Sequence, residues 1–416
     1  MRKGPHPIRF FILVLPFGAA FGYAAVALQW AATKREGVAV SDFGKVISAA
    51  FVVHGIKFLW APIVDATLAK RTWYVISLAL SLVGLFVSGL MPLSTKTLPA
   101  LTAVIMASQI GLTLLGMACE NLLGNLPAAE KGRGAGFYQA GNFVGLGLGG
   151  GLALDLTERF SQRWMGAAIL CAILAPCALA LIGLPEPPRS AHGLWPTVKT
   201  LGRDLLELVV KRVDGRWLLS AAGLSGLFIA LSPTGSGAAG NYWPSIASHW
   251  GASTATIELV NGWLGGVIGG AGALAGGWLS DRMQRRNAYV LGGAATAISG
   301  LLFAIAPLVP GSFVAGVLVY TFFNGVAFGA FSAFVLETIG HGAVATKYNI
   351  FASLANLATS YMINVDGKAF DAYKESGMLF VDAACTFGGV GVMFTLVAAV
   401  QWFARRQLRG AAPAAS

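Results

Sequence analysis

Long apolar stretches without charges dominate this chain, and short polar segments between them hold most of its acids and bases. The longest uncharged stretches cover residues 10–33, 164–184, 217–257 and 287–336. A membrane-crossing helix needs about 20 consecutive apolar residues, so the last two stretches are each long enough for two helices. The whole pattern predicts twelve crossings, at residues 8–30, 43–63, 73–92, 99–123, 134–156, 164–184, 217–239, 256–279, 288–308, 313–336, 346–365 and 378–404.

The composition indicates an all-α membrane protein and excludes several other classes. Of the 416 residues, 56% are hydrophobic and 11% are charged, a profile typical of a chain that is solvated by lipid. The net charge of +11 would suggest nucleic acid as the partner of a soluble protein. Here the basic residues lie between the apolar stretches, so we expect a lipid bilayer and no nucleic acid. The sequence has no nucleotide-binding, catalytic-serine or metal-binding motif, and we expect neither an enzyme nor a cofactor or metal.

The distribution of the basic residues predicts the orientation in the membrane. If the N-terminus is cytoplasmic, 20 of the 29 lysines and arginines lie on the cytoplasmic side, eight lie on the other side, and Lys57 lies within a span. Cytoplasmic loops of membrane proteins carry an excess of Lys and Arg. We therefore expect a multi-pass protein of the inner membrane with both termini in the cytoplasm.

An aspartate followed by cations recurs at half the length of the chain and indicates an internal duplication. Asp65 ends the second predicted span and Asp281 the eighth, 216 residues apart. We therefore predict two pseudo-symmetric six-helix bundles. The predicted domains are an N-terminal bundle, a cytoplasmic linker and a C-terminal bundle, at residues 1–184, 185–216 and 217–416. Apolar residues recur at helical spacing over 201–209, which predicts an amphipathic helix within the linker.

Charged residues at the ends of these spans are candidates for a cytoplasmic gate. Two turns each combine an aspartate with two cations, and a glutamate ends both the fourth and the tenth span, 217 residues apart. The eight candidates are Asp65, Lys70, Arg71, Glu120, Asp281, Arg285, Arg286 and Glu337. One hypothesis is an ionic latch that forms when the cytoplasmic side closes. The alternative is a set of solvated loop charges, each of which contributes little.

The residues that precede Asp65 resemble a family signature. Residues 57–65, KFLWAPIVD, are similar to the Lys-Phe-Leu-Trp-x-Pro-x-x-Asp signature of the AmpG-type muropeptide permeases. Residues 126–136 and 347–356 resemble a loop and the eleventh helix of the wider peptide–acetyl-CoA–drug transporter group, which is part of the major facilitator superfamily. The resemblance implies twelve helices in the major facilitator fold and a small-molecule substrate, and we expect a monomer.

The resemblance also implies a function. A permease of this type is a secondary transporter that moves a muropeptide-like amino sugar and peptide across the inner membrane by rocking of the two halves. The family's fourth helix usually carries aspartates where this chain has only Glu120, so proton symport and facilitated diffusion both stay open. A siderophore or drug permease would use the same scaffold. In a different class, some superfamily members act in the assembly of pigment complexes and not in transport.

Polar side chains within the spans are candidates for binding the substrate. Lys57 lies about 12 Å of helix from Asp65, with His54 on the same face. This pair is either an anchor for an anionic substrate or, through Glu120, a structural ion pair. Amides and tyrosines suit a neutral polar ligand, or they hydrogen-bond one helix to another. The substrate-binding candidates are Tyr23, His54, Lys57, Gln109, Asn142, Tyr320, Asn324 and Asn356. In the superfamily the first, fourth, seventh and tenth helices line the cavity, so the resemblance favours Tyr23, Gln109, Tyr320 and Asn324 among them.

Glycines give two further predictions. Glycine recurs every fourth residue over 141–149 in the fifth predicted span and over 262–270 in the eighth. Such rows let helices approach closely, and because the fifth and eighth helices of the superfamily cross between the halves, the resemblance predicts that the rows meet. In the seventh span, residues 231–237, LSPTGSG, predict either a broken helix that faces the cavity or an early helix end.

Overall fold

The fold is that of a computed structural model, which describes residues 6–38, 40–160, 162–186, 206, 209–213, 216–339 and 344–411. Helices that can cross a membrane form two groups of six, numbered here as spans 1 to 12 in chain order. The first group is the N-terminal half and the second group is the C-terminal half. The predicted all-α membrane fold with twelve crossings is confirmed.

The N-terminal half consists of spans 1 to 6. Spans 3 and 4 are continuous α-helices, whereas the other four contain π-helical or 3₁₀ turns. The helical segments are Ile8–Gly22, Tyr23–Leu28 and Ala31–Arg35 in span 1; Val40–Ile56, Lys57–Leu59 and Ala61–Ala66 in span 2; Lys70–Leu90 in span 3; Leu98–Gly124 in span 4; Lys131–Gly147, Leu148–Leu152 and Ala153–Arg159 in span 5; Arg163–Leu174 and Ala175–Leu181 in span 6.

The C-terminal half consists of spans 7 to 12. Span 7 is the most fragmented, and spans 11 and 12 are two helices that meet at a kink at Lys374, whose φ is 61°. The segments are Ala221–Leu231, Ala238–Tyr242, Trp243–Ile246 and Ala247–Trp250 in span 7; Thr254–Asn261 and Trp263–Ser280 in span 8; Arg285–Ala304 in span 9; Pro310–Thr338 in span 10; Val344–Ala411 in spans 11 and 12.

Fewer than twelve helices look like spans when each is judged by length and composition alone. By these criteria, eight described helices could cross a membrane. Spans 2, 5 and 7 are not among them, and spans 11 and 12 count as one helix across the kink. The interruptions within the spans are tolerated in a membrane where neighbouring helices satisfy the freed backbone groups.

Two different faces of span 5 pack against two different helices. The glycine row over 141–149 lies against span 1, where a Cβ on Gly149 would lie 1.8 Å from the carbonyl oxygen of Ala19. The prediction that this row meets span 8 is therefore wrong. Span 8 does approach span 5, but through another face, since a Cβ on Gly266 would lie 3.0 Å from the Cα of Gly147. The two halves thus meet along a second line of small residues in span 5.

A β-hairpin precedes span 7 and was not predicted. Val210–Val213 pairs antiparallel with Arg216–Leu219, and span 7 begins at Ala221, four residues later than predicted. The hairpin was missed because its second strand continues, in sequence, into the apolar stretch of span 7. The amphipathic helix predicted over 201–209 lies largely outside the described residues.

Candidate functional site

Asp65 lies at the end of span 2 and binds the first turn of span 11, which belongs to the opposite half. Its carboxylate accepts hydrogen bonds from the backbone N–H of Ala345 at 3.1 Å, and from the N–H and hydroxyl of Thr346 at 2.9 and 2.7 Å. The amide of Asn121 in span 4 donates to it at 3.0 Å. The first N–H groups of a helix lack partners within the helix and carry partial positive charge. Asp65 therefore caps span 11 from the other half.

Asp281, at the end of span 8, repeats this arrangement with span 5. Its carboxylate accepts from the backbone N–H groups of Gly132 and Arg133, both at 3.0 Å, and the Arg133 side chain lies 3.3 Å away. Gly132 and Arg133 are the second and third residues of span 5, as Ala345 and Thr346 are of span 11. The two aspartates thus cap equivalent helix positions in opposite halves. We call these two contacts the gate, and the end of the molecule that carries them the gate face.

Lysine and arginine side chains around the gate bind carbonyl groups. Lys131 Nζ donates to the carbonyl of Leu336 at 3.1 Å, near the end of span 10, and Arg285 donates to the carbonyl of Ala128. Both bonds join the two halves. Lys70 Nζ donates to carbonyls at the end of span 2. Because the C-terminal end of a helix carries partial negative charge, Lys131 and Lys70 stabilise the ends of spans 10 and 2.

Three of the predicted gate residues form no hydrogen bond or ion pair between the described parts of the two halves. Arg71 Nε lies 3.6 Å from Glu186, within the N-terminal half, and Arg286 lies over the ring of Phe394, within the C-terminal half. Glu337 is exposed and forms no hydrogen bond with another described residue. It lies one residue before the end of span 10, whereas Glu120 lies four residues before the end of span 4. The repeat in sequence therefore places the two glutamates at different depths.

A buried hydrogen-bond network next to the gate also joins the halves. Glu120, which is 2% exposed, accepts from the hydroxyl of Tyr138 at 3.2 Å and from the amide of Asn349 at 2.6 Å. Ser332 accepts from the amide of Gln139 at 2.7 Å. Among the described residues, every hydrogen bond between the halves belongs to this network or surrounds the gate. The molecule is therefore closed at the gate face.

Lys57 is a buried cation without a direct partner in the described part of the chain. It lies where span 2 changes from α-helix to a 3₁₀ turn and is 7% exposed. Its ammonium forms no hydrogen bond with another described residue and has no described carboxylate within 4.0 Å, although its charge interacts with that of Glu120. His54, one turn earlier, bonds Gln109 at 2.8 Å. The alternative of a direct Lys57–Glu120 ion pair is not formed in this structure.

Two aromatic rings lie next to this polar group. The rings of Phe17 and Phe21 in span 1 meet the His54 ring edge to face, with centroids 5.5 and 5.9 Å away. Gln109 in span 4 and Lys57 in span 2 complete a group of side chains that combines one amide, one imidazole, one cation and two apolar rings. We call Phe17, Phe21, His54, Lys57 and Gln109 the N-terminal strip.

The structure does not bring the remaining substrate-binding candidates together with this strip. Tyr23 is 3% exposed in the core of the N-terminal half, next to span 3. Asn142 donates to Gln139 at 3.4 Å and so extends the buried network. Tyr320 donates to a carboxylate of span 12 at 3.4 Å. Asn356 is exposed and makes no hydrogen bond with another described residue.

Span 7 is broken over residues 231–238, as one of the two predictions for this segment states. Gly235 and Gly237 have φ angles of 69° and 62°, which favour glycine. Asn324 donates to the carbonyl of Gly235 at 3.2 Å, and Tyr361 donates at 3.1 Å to the carbonyl that ends the first segment. These side chains satisfy the backbone groups that the break releases. Asn324 thus holds the break in place.

The comparison with protein families decides what kind of molecule this is. The model of the Major Facilitator Superfamily matches residues 10–361, which include the gate, the buried network and the N-terminal strip. The chain belongs to the Major Facilitator Superfamily. The predicted resemblance is therefore confirmed at the level of the superfamily and its fold.

Within the superfamily, the chain is similar to the anhydromuropeptide permeases of Escherichia coli strain K12 and of E. coli O157:H7. Each is 25% identical over 397 residues, which cover 91% of this chain and 77% of the relative. This similarity bears out the AmpG-like character predicted from residues 57–65.

Solved structures of other major facilitators share the fold. The proton:xylose symporter XylE bound to 6-bromo-6-deoxy-D-glucose has a TM-score of 0.67 and 15% identity, covering 94% of this chain and 96% of that one. The E. coli fucose:proton symporter FucP gives 0.67 and 14%, with 96% and 98% covered. The human organic anion transporter MFSD10 gives 0.67 and 15%, with 93% and 98% covered. At these identities the likeness shows the fold alone.

Several residues of this major facilitator's gate were not foreseen. Asn121 and Thr346 bind Asp65, Lys131 binds the end of span 10, and Glu186 accepts from the first N–H groups of span 3. The sequence did carry a signal for the caps, because a helix that begins at the boundary between the halves needs an acceptor for its first N–H groups. Which acid serves which helix depends on how the halves dock, and the sequence does not state that.

Proposed function

We propose that this major facilitator moves a muropeptide-like solute, an amino sugar joined to a short peptide, across the inner membrane by alternating access. The observation that carries the proposal is the buried Lys57 ammonium, for which the described residues offer no direct acceptor. A cation in a membrane protein is costly unless it faces a partner or water. A carboxylate of the peptide would supply that partner. The 25% identity to anhydromuropeptide permeases supports this class of substrate.

The rest of the N-terminal strip suits the other parts of such a solute. His54 and Gln109 offer hydrogen-bonding groups to the hydroxyl and amide groups of an amino sugar or peptide. Phe17 and Phe21 offer ring surfaces against which the apolar face of a sugar ring can pack. Ligand sites commonly combine apolar walls with a few oriented polar groups. The strip has this composition.

We further propose that the gate face is cytoplasmic and that both termini lie in the cytoplasm. The excess of basic residues on that side, 20 against eight, supports this orientation. Opening the gate would then release the solute into the cell, by rocking one half against the other. Rocking must break the Asp65 and Asp281 caps together with the bond from Asn349 to Glu120.

We propose proton symport as the driving force. Three carboxylates of the described spans are 3% exposed or less and are candidates to take up a proton: Glu120, Asp366 and Asp382, with exposures of 2%, 0% and 3%. A proton gradient that is inward-directed would then drive accumulation of the solute. Facilitated diffusion predicts equilibration without accumulation.

Uptake by purified full-length protein in proteoliposomes tests the substrate class. The substrates are a labelled anhydromuropeptide and the same compound with its carboxylates amidated. We expect wild type to prefer the acid, and Lys57→Gln to raise the KM for the acid about 10- to 100-fold, the worth of a charged hydrogen bond. The matched control is Lys45→Gln, which removes a lysine of the same span that is 79% exposed and should leave KM unchanged.

Three outcomes would contradict the proposal. Equal uptake of acid and amide by wild type would show that no carboxylate is recognised. Uptake of a siderophore or drug in place of the muropeptide would assign the chain to another permease class. Absence of any uptake, with a partner protein that co-purifies, would favour a role in complex assembly.

A further inference from the structure

Two carboxylates, one on span 11 and one on span 12, are buried in the C-terminal half. Asp366 is 0% exposed and Asp382 is 3% exposed. They lie eight residues before and eight residues after the kink at Lys374, so the kink brings the two helices and their acids together. The charge of each acid acts on the other. Neither acid belongs to the gate or to the N-terminal strip.

Most oxygen atoms of this pair lack a hydrogen-bond partner. Both oxygens of Asp366 and Oδ1 of Asp382 are buried and have no donor in the described part of the chain. The remaining oxygen, Asp382 Oδ2, accepts from the hydroxyl of Tyr320 in span 10 at 3.4 Å. The ring of Trp243 packs edge to face on Tyr320 at 5.3 Å, which holds that hydroxyl next to the pair. Buried carboxylate oxygens without donors are rare in proteins.

No basic group among the described residues neutralises the pair. Lys368 is exposed, and Lys374 Nζ lies over the ring of Phe370. The titratable groups outside the pair that interact with it electrostatically are Tyr242, Tyr320 and Cys385. Each of these is neutral or acidic, so none supplies a positive charge.

Two adjacent buried carboxylates without a cation cannot both be ionised, because desolvation and mutual repulsion act in the same direction. A proton bound by one acid would remove one of the two buried charges and turn an unpaired acceptor oxygen into an O–H group. Asp366 lies 22 residues from the start of span 11, about 33 Å of helix from the gate face. The pair therefore lies towards the side opposite the gate face, where no hydrogen bond joins the described parts of the two halves.

We propose that Asp366 and Asp382 form a proton-binding pair, loaded from the extracytoplasmic side, that carries the proton of the symport. This inference rests on the proposed function for its role in transport, but the binding of the proton does not. The proton comes from water on that side, binds one carboxylate oxygen and returns to water on the other side of the membrane. No bond other than O–H is formed or broken. Tyr320, one of the substrate-binding candidates, hydrogen-bonds Asp382 and so links the protonation state of Asp382 to span 10.

An infrared measurement on the purified full-length protein tests the proton without any substrate. We expect wild type at neutral pH to show the C=O stretch of a protonated carboxylic acid, and the Asp366→Asn, Asp382→Asn double variant to lose intensity in it. Asp371→Asn, which changes an exposed acid of the same segment, should keep the band, and Glu120→Gln identifies any part that Glu120 contributes. A double variant with the full wild-type band would overturn the proposal.

Transport in proteoliposomes tests the role of the pair. With a muropeptide that wild type accumulates, we expect the double variant to lose about tenfold or more of the accumulation driven by a pH gradient, while exchange without a gradient persists. Accumulation equal to wild type would overturn the role in symport, and so would accumulation that depends on Na⁺ at constant pH. If wild type moves no muropeptide while the infrared difference is present, the proposed substrate fails and the proton-binding pair stands.

Discussion

Replacing Asp65 by Asn tests whether the caps hold the gate closed. The Asp65 carboxylate accepts four hydrogen bonds, three of them from the first turn of span 11 in the other half. Asn keeps the size of the side chain but loses the charge, and it presents an NH₂ group where a second acceptor is needed. The loss of charge-assisted bonds to a helix N-terminus costs about 2 kcal/mol. The ratio of closed to open molecules should therefore fall about 30-fold.

Distances between spin labels across the gate face measure this ratio. Suitable sites are Leu68 between spans 2 and 3 and Met283 between spans 8 and 9, with exposures of 44% and 38%. The labels require a background without the four native cysteines. Wild type should give mainly a short distance, and Asp65→Asn should add a population at a longer distance.

A matched control separates the cap from a general effect of charge. Asp155 pairs with Arg159 one turn away at 2.9 Å, and both side chains are largely exposed. Such pairs contribute little to stability, so Asp155→Asn should leave the distances unchanged. If Asp65→Asn gives the same distribution as wild type and as Asp155→Asn, the reasoning about the caps is refuted.

Three further predictions concern the interface, the helix break and the cations. Gly277→Ala would place a Cβ 2.5 Å from a carbonyl of span 5 and should lower the thermal stability and slow transport, whereas Gly388→Ala meets nothing within 4 Å and should behave as wild type in both assays. Asn324→Ala should lower the midpoint of thermal unfolding, since a buried carbonyl left without a donor costs about 1–3 kcal/mol; an unchanged midpoint would argue against its role at the break. Arg285→Ala should lengthen the distances across the gate face more than Arg286→Ala, and the reverse order would contradict the assignment of Arg286 to its own half.

The number of spans and the positions of the capping acids could be predicted from the sequence. Apolar length determines the crossings, and the 216-residue repeat of Asp65 and Asp281 reflects two equivalent contacts. The repeat of Glu120 and Glu337 did not predict equivalent positions, because an equal offset in sequence does not ensure equal depth when the two helices end at different residues. Arg286 misled for a related reason, since adjacent residues of a helix point in different directions.

Contacts between elements that are distant in sequence could not be predicted. The face of span 5 that meets span 8 differs from the face with the regular glycine row over 141–149, and periodicity alone does not say which neighbour a face will have. Likewise, Asp366 and Asp382 are near the outer ends of their spans in sequence, but only the structure shows that both are buried and that their charges interact. Pairing across a turn depends on backbone geometry that residue types do not encode directly.

The most direct test of the account is counterflow of labelled muropeptide into proteoliposomes that hold the unlabelled compound. Counterflow needs no proton gradient and requires only that the two halves alternate between their open and closed forms. The account predicts that wild type and Asp155→Asn exchange the label. The Asp65→Asn, Asp281→Asn double variant should exchange it at least about tenfold more slowly, because the free-energy effects of two substitutions at distant sites add. A double variant that exchanges at the wild-type rate would contradict the account.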